Sequence, residues 1–234
     1  MNDATTSILF LHGINNTGGV WRPVFALLQD TITCLAPTLP ALKCVDQISD
    51  TLASELGGDY ILVGHSFGGY VALAMLERIP ERIKGIALIN SQSSNDPEPT
   101  VARRFDLIDR ARSGAYESLA QLSFPLVFHS SNLNNSALMR AREIETERYG
   151  AERYINHQYA CLSRPDRSDV LRAFCGPKLV IAAEDDLVIT AAEQKRMADE
   201  CGANFAMIGG AGHMLPAESP ERVATEIHRW LSKD

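Results

Sequence analysis

The residues of this chain that could do chemistry begin with a serine. Positions 60–70 read YILVGHSFGGY: an apolar run stops at Gly64, and Ser66 stands between His65 and Phe67 with Gly68 and Gly69 just behind. GHSFG fits the pattern G-x-S-x-G, with a strand expected before it and a helix after it, the context that gives the pattern chemical meaning. A sharp strand-to-helix turn forces its central residue into a strained backbone conformation, at a cost of about 1–3 kcal/mol. Side chains two positions to either side would collide, so Gly64 and Gly68 leave the room. The hydroxyl of Ser66 then projects from the strand end beside a helix N-terminus, whose partial positive charge favours an anion forming next to it. Such a serine suits attack on a carbonyl carbon. The alternative is a serine in an ordinary turn.

A serine hydroxyl is a poor nucleophile until a base removes its proton. MIGGAGHMLPAESP places His213 on a glycine-rich loop between the last expected strand and the last expected helix. Of the other five histidines, His12 and His65 adjoin strand ends, His129 and His157 fall in a helical segment, and His228 lies inside the final helix. The base needs an acid to fix its tautomer and stabilise the imidazolium. LVIAAEDDLVIT ends a strand with Glu184, Asp185 and Asp186; any of them could be that partner, and all three could be solvating charges of a loop. The chain order serine, acid, histidine is the one expected for a G-x-S-x-G turn on an α/β sheet. Negative charge developing on a carbonyl oxygen also needs donors. The backbone N–H of Phe67 is one, and the N–H of Ile14, in the loop LHGINNTGGVW, is the candidate for the second. Donors of this kind are worth about 3 kcal/mol each in a transition state.

These residues must be positioned by the elements around them. SILFLH (7–12), YILVG (60–64), IKGIALIN (83–90) and KLVIAA (178–183) are nearly continuous apolar runs, with TCLAP (33–37) and NFAMIG (204–209) as weaker ones. Strands buried on both faces read this way, and they belong to parallel sheets covered by helices. Helical patterns lie between them: a segment near Pro23, CVDQISDTLASEL, GGYVALAMLERIP, TAAEQKRMADECG with a Thr N-cap, and SPERVATEIHRWL with Ser219 as N-cap. Alternation of strand and helix predicts an α/β fold with a mostly parallel sheet of about six strands. The alternation fails between about Asn95 and Pro177, where three or four amphipathic helices are expected. Residues 1–95 and 177–234 therefore form the core, and 96–176 a helical cap over the C-terminal ends of the strands, where α/β folds place ligands.

Composition narrows the function. The 234 residues are 45% apolar and 22% charged, with a formal net charge of -7. That acidity argues against nucleic acid or an anionic membrane as partner. The stretch MNDATTSILFLHG lacks the marks of a signal peptide, and no run is long enough to span a membrane. Five scattered cysteines, none in C-x-x-C, point away from zinc and toward reduced thiols in the cytoplasm. Neither a metal nor a cofactor is expected.

In LHGINNTGGVW, VGHSFGGYVALAMLERIPERIKGIALIN, LVIAAEDDLVIT and GGAGHMLPAESPERVATEIHRWL, the chain resembles the α/β-hydrolase superfamily. Within it, the chain is similar to small esterases and enol-lactonases with a single cap. The resemblance implies a triad of Ser66, Asp186 and His213, an oxyanion hole at the N–H groups of Ile14 and Phe67, and a lid made by the insertion. Asp186 is implied by the family's G-E-x-D-x-x-x-P; this chain has Ala183 for the Gly and Thr190 for the Pro, and Asp185 is the alternative. The superfamily's usual N-terminal hairpin is not visible, so the sheet should have six strands. The expected function is a serine hydrolase cleaving a small carboxylic ester, lactone or thioester through an acyl-enzyme on Ser66. The alternatives are a C–C bond hydrolase or lyase with the same triad, and a ligand-binding sensor on a hydrolase scaffold. Trp21, His129 and Tyr159 are candidate substrate contacts; the alternatives are a core position for Trp21, a solvated loop for His129 and a structural place for Tyr159. Arg142, Arg148 and Arg153 could meet a substrate carboxylate, but their alternation with Glu143, Glu145, Glu147 and Glu152 reads as an exposed, salt-laced helix face.

Overall fold

The structure, a computed structural model, describes residues 6–28 and 32–232. The first five residues, which belong to the stretch judged to lack a signal peptide, lie outside it. The apolar runs form six strands: β1 (Ser7–Leu11), β2 (Cys34–Leu35), β3 (Tyr60–His65), β4 (Ile83–Ile89), β5 (Lys178–Ala183) and β6 (Asn204–Ile208). They make one sheet in the order β2-β1-β3-β4-β5-β6, and every neighbouring pair is parallel.

Both faces of this sheet are covered, which is why the strands are apolar without alternation. On β1, Leu9 and Leu11 face one core while Ile8 and Phe10 face the other. The first face carries α2 (Val45–Glu55), α3 (Phe67–Arg78), α8 (Ser168–Ala173) and α9 (Ala191–Cys201). The second carries α1 (Arg22–Phe25), α10 (Leu215–Glu218) and α11 (Pro220–Leu231). Each fully buried Leu, Ile or Val stabilises the fold by about 1.5–3 kcal/mol. α3 is buried from Phe67 to Leu76 because it crosses the centre of the sheet. α9 starts in a capping box between Thr190 and Glu193 and ends at Gly202, whose φ is 68°. Ser219 precedes α11 as expected, but its side chain makes no capping bond.

Between β4 and β5 the chain is helical: α4 (Glu98–Arg110), a single π turn (Ala111–Ala115), α5 (Tyr116–Leu122), α6 (Phe124–Val127) and α7 (Ser136–Ser163) precede α8. α7 breaks at Gly150, where φ is 78° and ψ 159°. This layer has its own small core of Ala111, Tyr116, Leu119, Tyr149 and Tyr154, with Ile14 packed against it. The second half of α7 is fastened to the loop after β2. Arg153 donates to Leu39 O (3.1 Å), Asn156 to Ala41 O (2.9 Å) and Ser163 to Lys43 O (3.2 Å), while His157 Nε2 lies 2.8 Å from Pro40 O. α8 packs on α3 and α9.

Because all strands run the same way, the segments following β1, β3, β4, β5 and β6 leave the sheet at one edge. That edge collects Ile14, Ser66, Asn90, Asp186 and His213.

Candidate active site

Ser66 is one of three described residues other than glycine with positive φ, at φ 52° and ψ -118°. Its N–H donates to Ile89 O at the end of β4 (3.0 Å). Its carbonyl accepts from Gly69 N (2.9 Å) and from Ser91 Oγ (2.8 Å). The strained turn is thus held by the neighbouring strand end. A Cβ on Gly68 would stand 2.1 Å from Leu11 O, and one on Gly64 2.5 Å from Gly69 Cα. Gly68 clears the end of β1, while Gly64 clears the turn itself.

His213 Nε2 lies 2.9 Å from Ser66 Oγ, and its Nδ1 lies 2.9 Å and 3.0 Å from the two carboxylate oxygens of Asp186. Asp186 and His213 are 4% and 5% exposed, so this line of hydrogen bonds is shielded from bulk water. Asp186 Oδ1 also accepts from the N–H groups of Val188 (2.8 Å) and Ile189 (3.0 Å), which fixes the carboxylate and satisfies its charge. With the carboxylate on Nδ1, the proton sits there and Nε2 faces the hydroxyl as an acceptor. Asp185 points elsewhere: it is half exposed, and its Oδ2 is 3.6 Å from His129 Nε2.

Several residues that position this line carry no chemical signature of their own. Asn90, at the end of β4, donates to His213 O (2.9 Å) and Gly212 O (3.1 Å), and its Oδ1 accepts from Ala183 N (2.8 Å). His65 Nε2 donates to His213 O as well (2.8 Å). Glu218 accepts from Gly212 N (2.9 Å) with one oxygen, and from His129 N and Asn132 Nδ2 (both 2.8 Å) with the other. Gln194 donates to Ile189 O (2.8 Å) below Asp186. A polar residue directly after an apolar strand was the available signal for Asn90; Glu218 and Gln194 gave none.

Ile14 and Phe67 both line the cavity above Ser66. Phe67 is the first residue of α3, where an N–H has no partner inside the helix. The loop carrying Ile14 is held by His12, whose Nε2 accepts from Leu39 N (2.9 Å) and whose Nδ1 donates to Gly13 O (2.9 Å). Burial pushes His12 down to about 3, so it stays neutral and serves as a brace.

The cavity measures about 460 Å³ and runs between the sheet edge and the helical layer. Tyr70, Leu107, Leu119, Leu126 and Val127 supply apolar wall. The three expected substrate contacts do not line it. Trp21 is fully buried under the sheet, its ring 4.9 Å from that of Phe10. His129 faces outward to Ser131 and Asp185. Tyr159 lies on the far side of α7, under Lys43 and Arg112. One of the glutamate-interleaved arginines also departs from its expected place: Arg142 is 5% exposed and lines the cavity. α7 turns that residue inward, whereas the side chain of Arg148 stays exposed, 3.6 Å from a largely buried Glu145.

Taken together, the line from Asp186 to Ser66 can draw a proton off the hydroxyl, and the cavity can hold a small molecule against it. Known proteins share this arrangement of elements. RutD of Rhizobium rhizogenes, named as a candidate carbamate hydrolase, is 25% identical over 98% of this chain and 93% of its own length. An esterase of Thermogutta terrifontis, solved with malate bound, superimposes with a TM-score of 0.92 at 25% identity, covering 97% of this chain and 90% of that one. The enol-lactonase of Burkholderia xenovorans gives 0.85 at 18% identity, covering 99% and 92%. A family model described as the alpha/beta hydrolase family matches residues 8–226. The chain belongs to the alpha/beta hydrolase family and is an enzyme of the hydrolase class.

Proposed function

We propose that the enzyme cleaves a small carboxylic ester, lactone or thioester through an acyl-enzyme on Ser66. One observation carries this: the unbroken hydrogen-bonded line Asp186–His213–Ser66, with both His213 contacts at 2.9 Å, opening on a cavity sized for a small molecule. Ser66 Oγ attacks the carbonyl carbon as His213 Nε2 takes the hydroxyl proton. The new oxyanion lies between the N–H groups of Ile14 and Phe67. The bond from the carbonyl carbon to the leaving oxygen or sulfur breaks, and His213 hands its proton to the leaving group. Water then attacks the acyl carbon, giving a proton to His213, and that proton returns to Ser66 Oγ as the acid departs. Asp186 holds the imidazole and offsets its transient positive charge.

The relatives named above support acyl cleavage through the reactions in their names, and residues 96–176 serve as the cap that shapes the substrate pocket. α8 packs on core helices, so the part free to act as a lid ends before it. The five thiols are all free, which fits a reducing compartment, and the cytoplasm is the proposed location.

The test is covalent labelling of purified protein by a fluorophosphonate, with hydrolysis of p-nitrophenyl acetate followed in parallel. Wild type should label on Ser66 and turn over. Ser66→Ala should do neither, with kcat down by about 10⁴–10⁶-fold. Turnover undiminished in Ser66→Ala would overturn the mechanism.

A further inference from the structure

The arginines buried in this fold have counter-charges, with one exception. Arg104 and Arg164 share Asp96, at 2.5 Å and 2.8 Å. Arg167 pairs with Asp46 (2.5 Å) and Glu77 (2.9 Å). Arg142 is as deeply placed, yet among the described residues no carboxylate lies within ion-pair distance of it. Its Nη1 donates only to neutral oxygens, Asn15 O (2.6 Å) and Asn16 Oδ1 (2.7 Å). Its Nε is buried with no partner. Glu145, one turn further along α7, is near enough to favour the charge on Arg142 without pairing with it, and is itself committed to Thr17, accepting from its N–H and its hydroxyl at 2.7 Å each.

A buried cation without a counter-charge is costly, and removing one partner from a buried pair leaves that cost exposed. Burial pushes the Arg142 guanidinium down to about 10, far enough above neutrality for it to stay charged. The edge not spent on the Asn15 loop is Nε–H with Nη2–H. Arg78 uses that same edge to grip Asp50 elsewhere in this molecule. Parallel donors of this kind match a carboxylate. The rest of the cavity adds to the imbalance. Asp96 is consumed by Arg104 and Arg164, Asp106 faces Arg110 (3.4 Å), and Glu193 is bound in the cap of α9. Arg103 on the same wall has no carboxylate partner among the described residues. A chain of net charge -7 thus turns a positive wall toward Ser66.

We propose that Arg142 is an anion-binding subsite and that the substrate is an ester or lactone that also carries a carboxylate, which supplies the missing counter-charge. This rests on the acyl-transfer reading of Ser66 for its reaction, but not for its binding step.

The test compares half-esters with near-isosteric neutral esters: monomethyl succinate against methyl levulinate, and monomethyl glutarate against methyl 5-oxohexanoate. Wild type should favour the charged member in kcat/KM by about 10- to 100-fold, the worth of one charge-assisted contact. Arg142→Met should remove that preference, and Arg142→Lys should keep part of it. Both variants will also loosen the Asn15 loop, which lowers kcat on charged and neutral esters alike; the ratio between them is therefore the readout. A ratio near one in wild type, or a ratio unchanged in Arg142→Met, overturns the subsite and leaves Arg142 as a brace. Calorimetric binding of succinate to Ser66→Ala, with and without Arg142→Met, separates the two readings. Binding that depends on Arg142 sustains the subsite even if no ester is turned over. Absence of binding, beside Ser66-dependent hydrolysis of neutral esters, overturns the subsite and spares the mechanism.

Discussion

The side-chain amide of Asn90 holds the carbonyl oxygen of His213 at 2.9 Å, and its own oxygen takes the N–H of Ala183 at 2.8 Å. A single residue after β4 thereby ties the His213 loop to the end of β5. Asn90 adopts φ 45° to do so, a conformation that asparagine tolerates better than most residues. Asn90→Ala should strand the buried Ala183 N–H, at about 1–3 kcal/mol. It should also free the imidazole to wander, lowering kcat with little change in KM. Urea unfolding and steady-state kinetics on one ester read both effects. An unchanged kcat would mean that His65 holds the loop alone.

Asp186→Asn and Asp185→Asn should part company. The first keeps the shape but presents the wrong hydrogen-bonding partner to Nδ1, and kcat should fall by about 10³–10⁴-fold. The second touches a half-exposed side chain beside His129 and should stay within about twofold. Equal losses would reopen the choice between these two acids, which the sequence could not make on spacing alone.

Acid should weaken the fold well before the carboxylates titrate. Burial holds His12 and His65 down to about 3 and His157 to about 4, against an ordinary 6.5. The unfolded chain therefore binds protons below pH 6.5 that the folded chain refuses. Their contribution is complete above pH 6.5 and is lost as pH falls toward 4 for His157 and toward 3 for His12 and His65. Each histidine contributes a slope of up to about 1.4 kcal/mol per pH unit in that window. Urea midpoints should hold steady from pH 8 to 7 and drop between pH 6.5 and 5. A flat profile across the lower range would contradict the burial of these rings.

Glu218 spans two parts of the molecule, accepting from Gly212 in the His213 loop and from His129 and Asn132 in the helical layer. Glu218→Ala should release both. Hydrogen exchange should rise at residues 129–132 and at Gly212, and kcat should fall by about tenfold as the His213 loop loosens. Faster exchange on one side only would show that the two segments are held independently.

Much of this site was legible because its chemistry is local to strand ends. Nearly continuous apolar runs marked four strands and weaker runs the two at the sheet edges, and a serine among glycines at a strand end could be assigned to a turn. The break of α7 falls at Gly150, a residue that takes a positive φ at little steric cost. Pocket walls were not legible. Helical spacing says which residues share a face, not what that face meets. Arg142 and Arg148 look alike in the sequence, six positions apart among glutamates, yet one is buried over the cavity and the other is in water. Trp21 could not be placed from the sequence because aromatic residues near a loop suit a core as well as a pocket, and here the second core took it.

The four contacts from α7 to the carbonyls of residues 39–43 bear on how such enzymes can be rebuilt. Those oxygens belong to a loop of the core but find their partners in the helical layer. A chimera that exchanges residues 98–149 for another protein's segment leaves all four contacts in place. One that continues the exchange through Ser163 strips them, and a donor scaffold must then bring its own. The practical seam for transplanting specificity thus falls at Gly150, inside a helix, rather than at the end of the inserted segment.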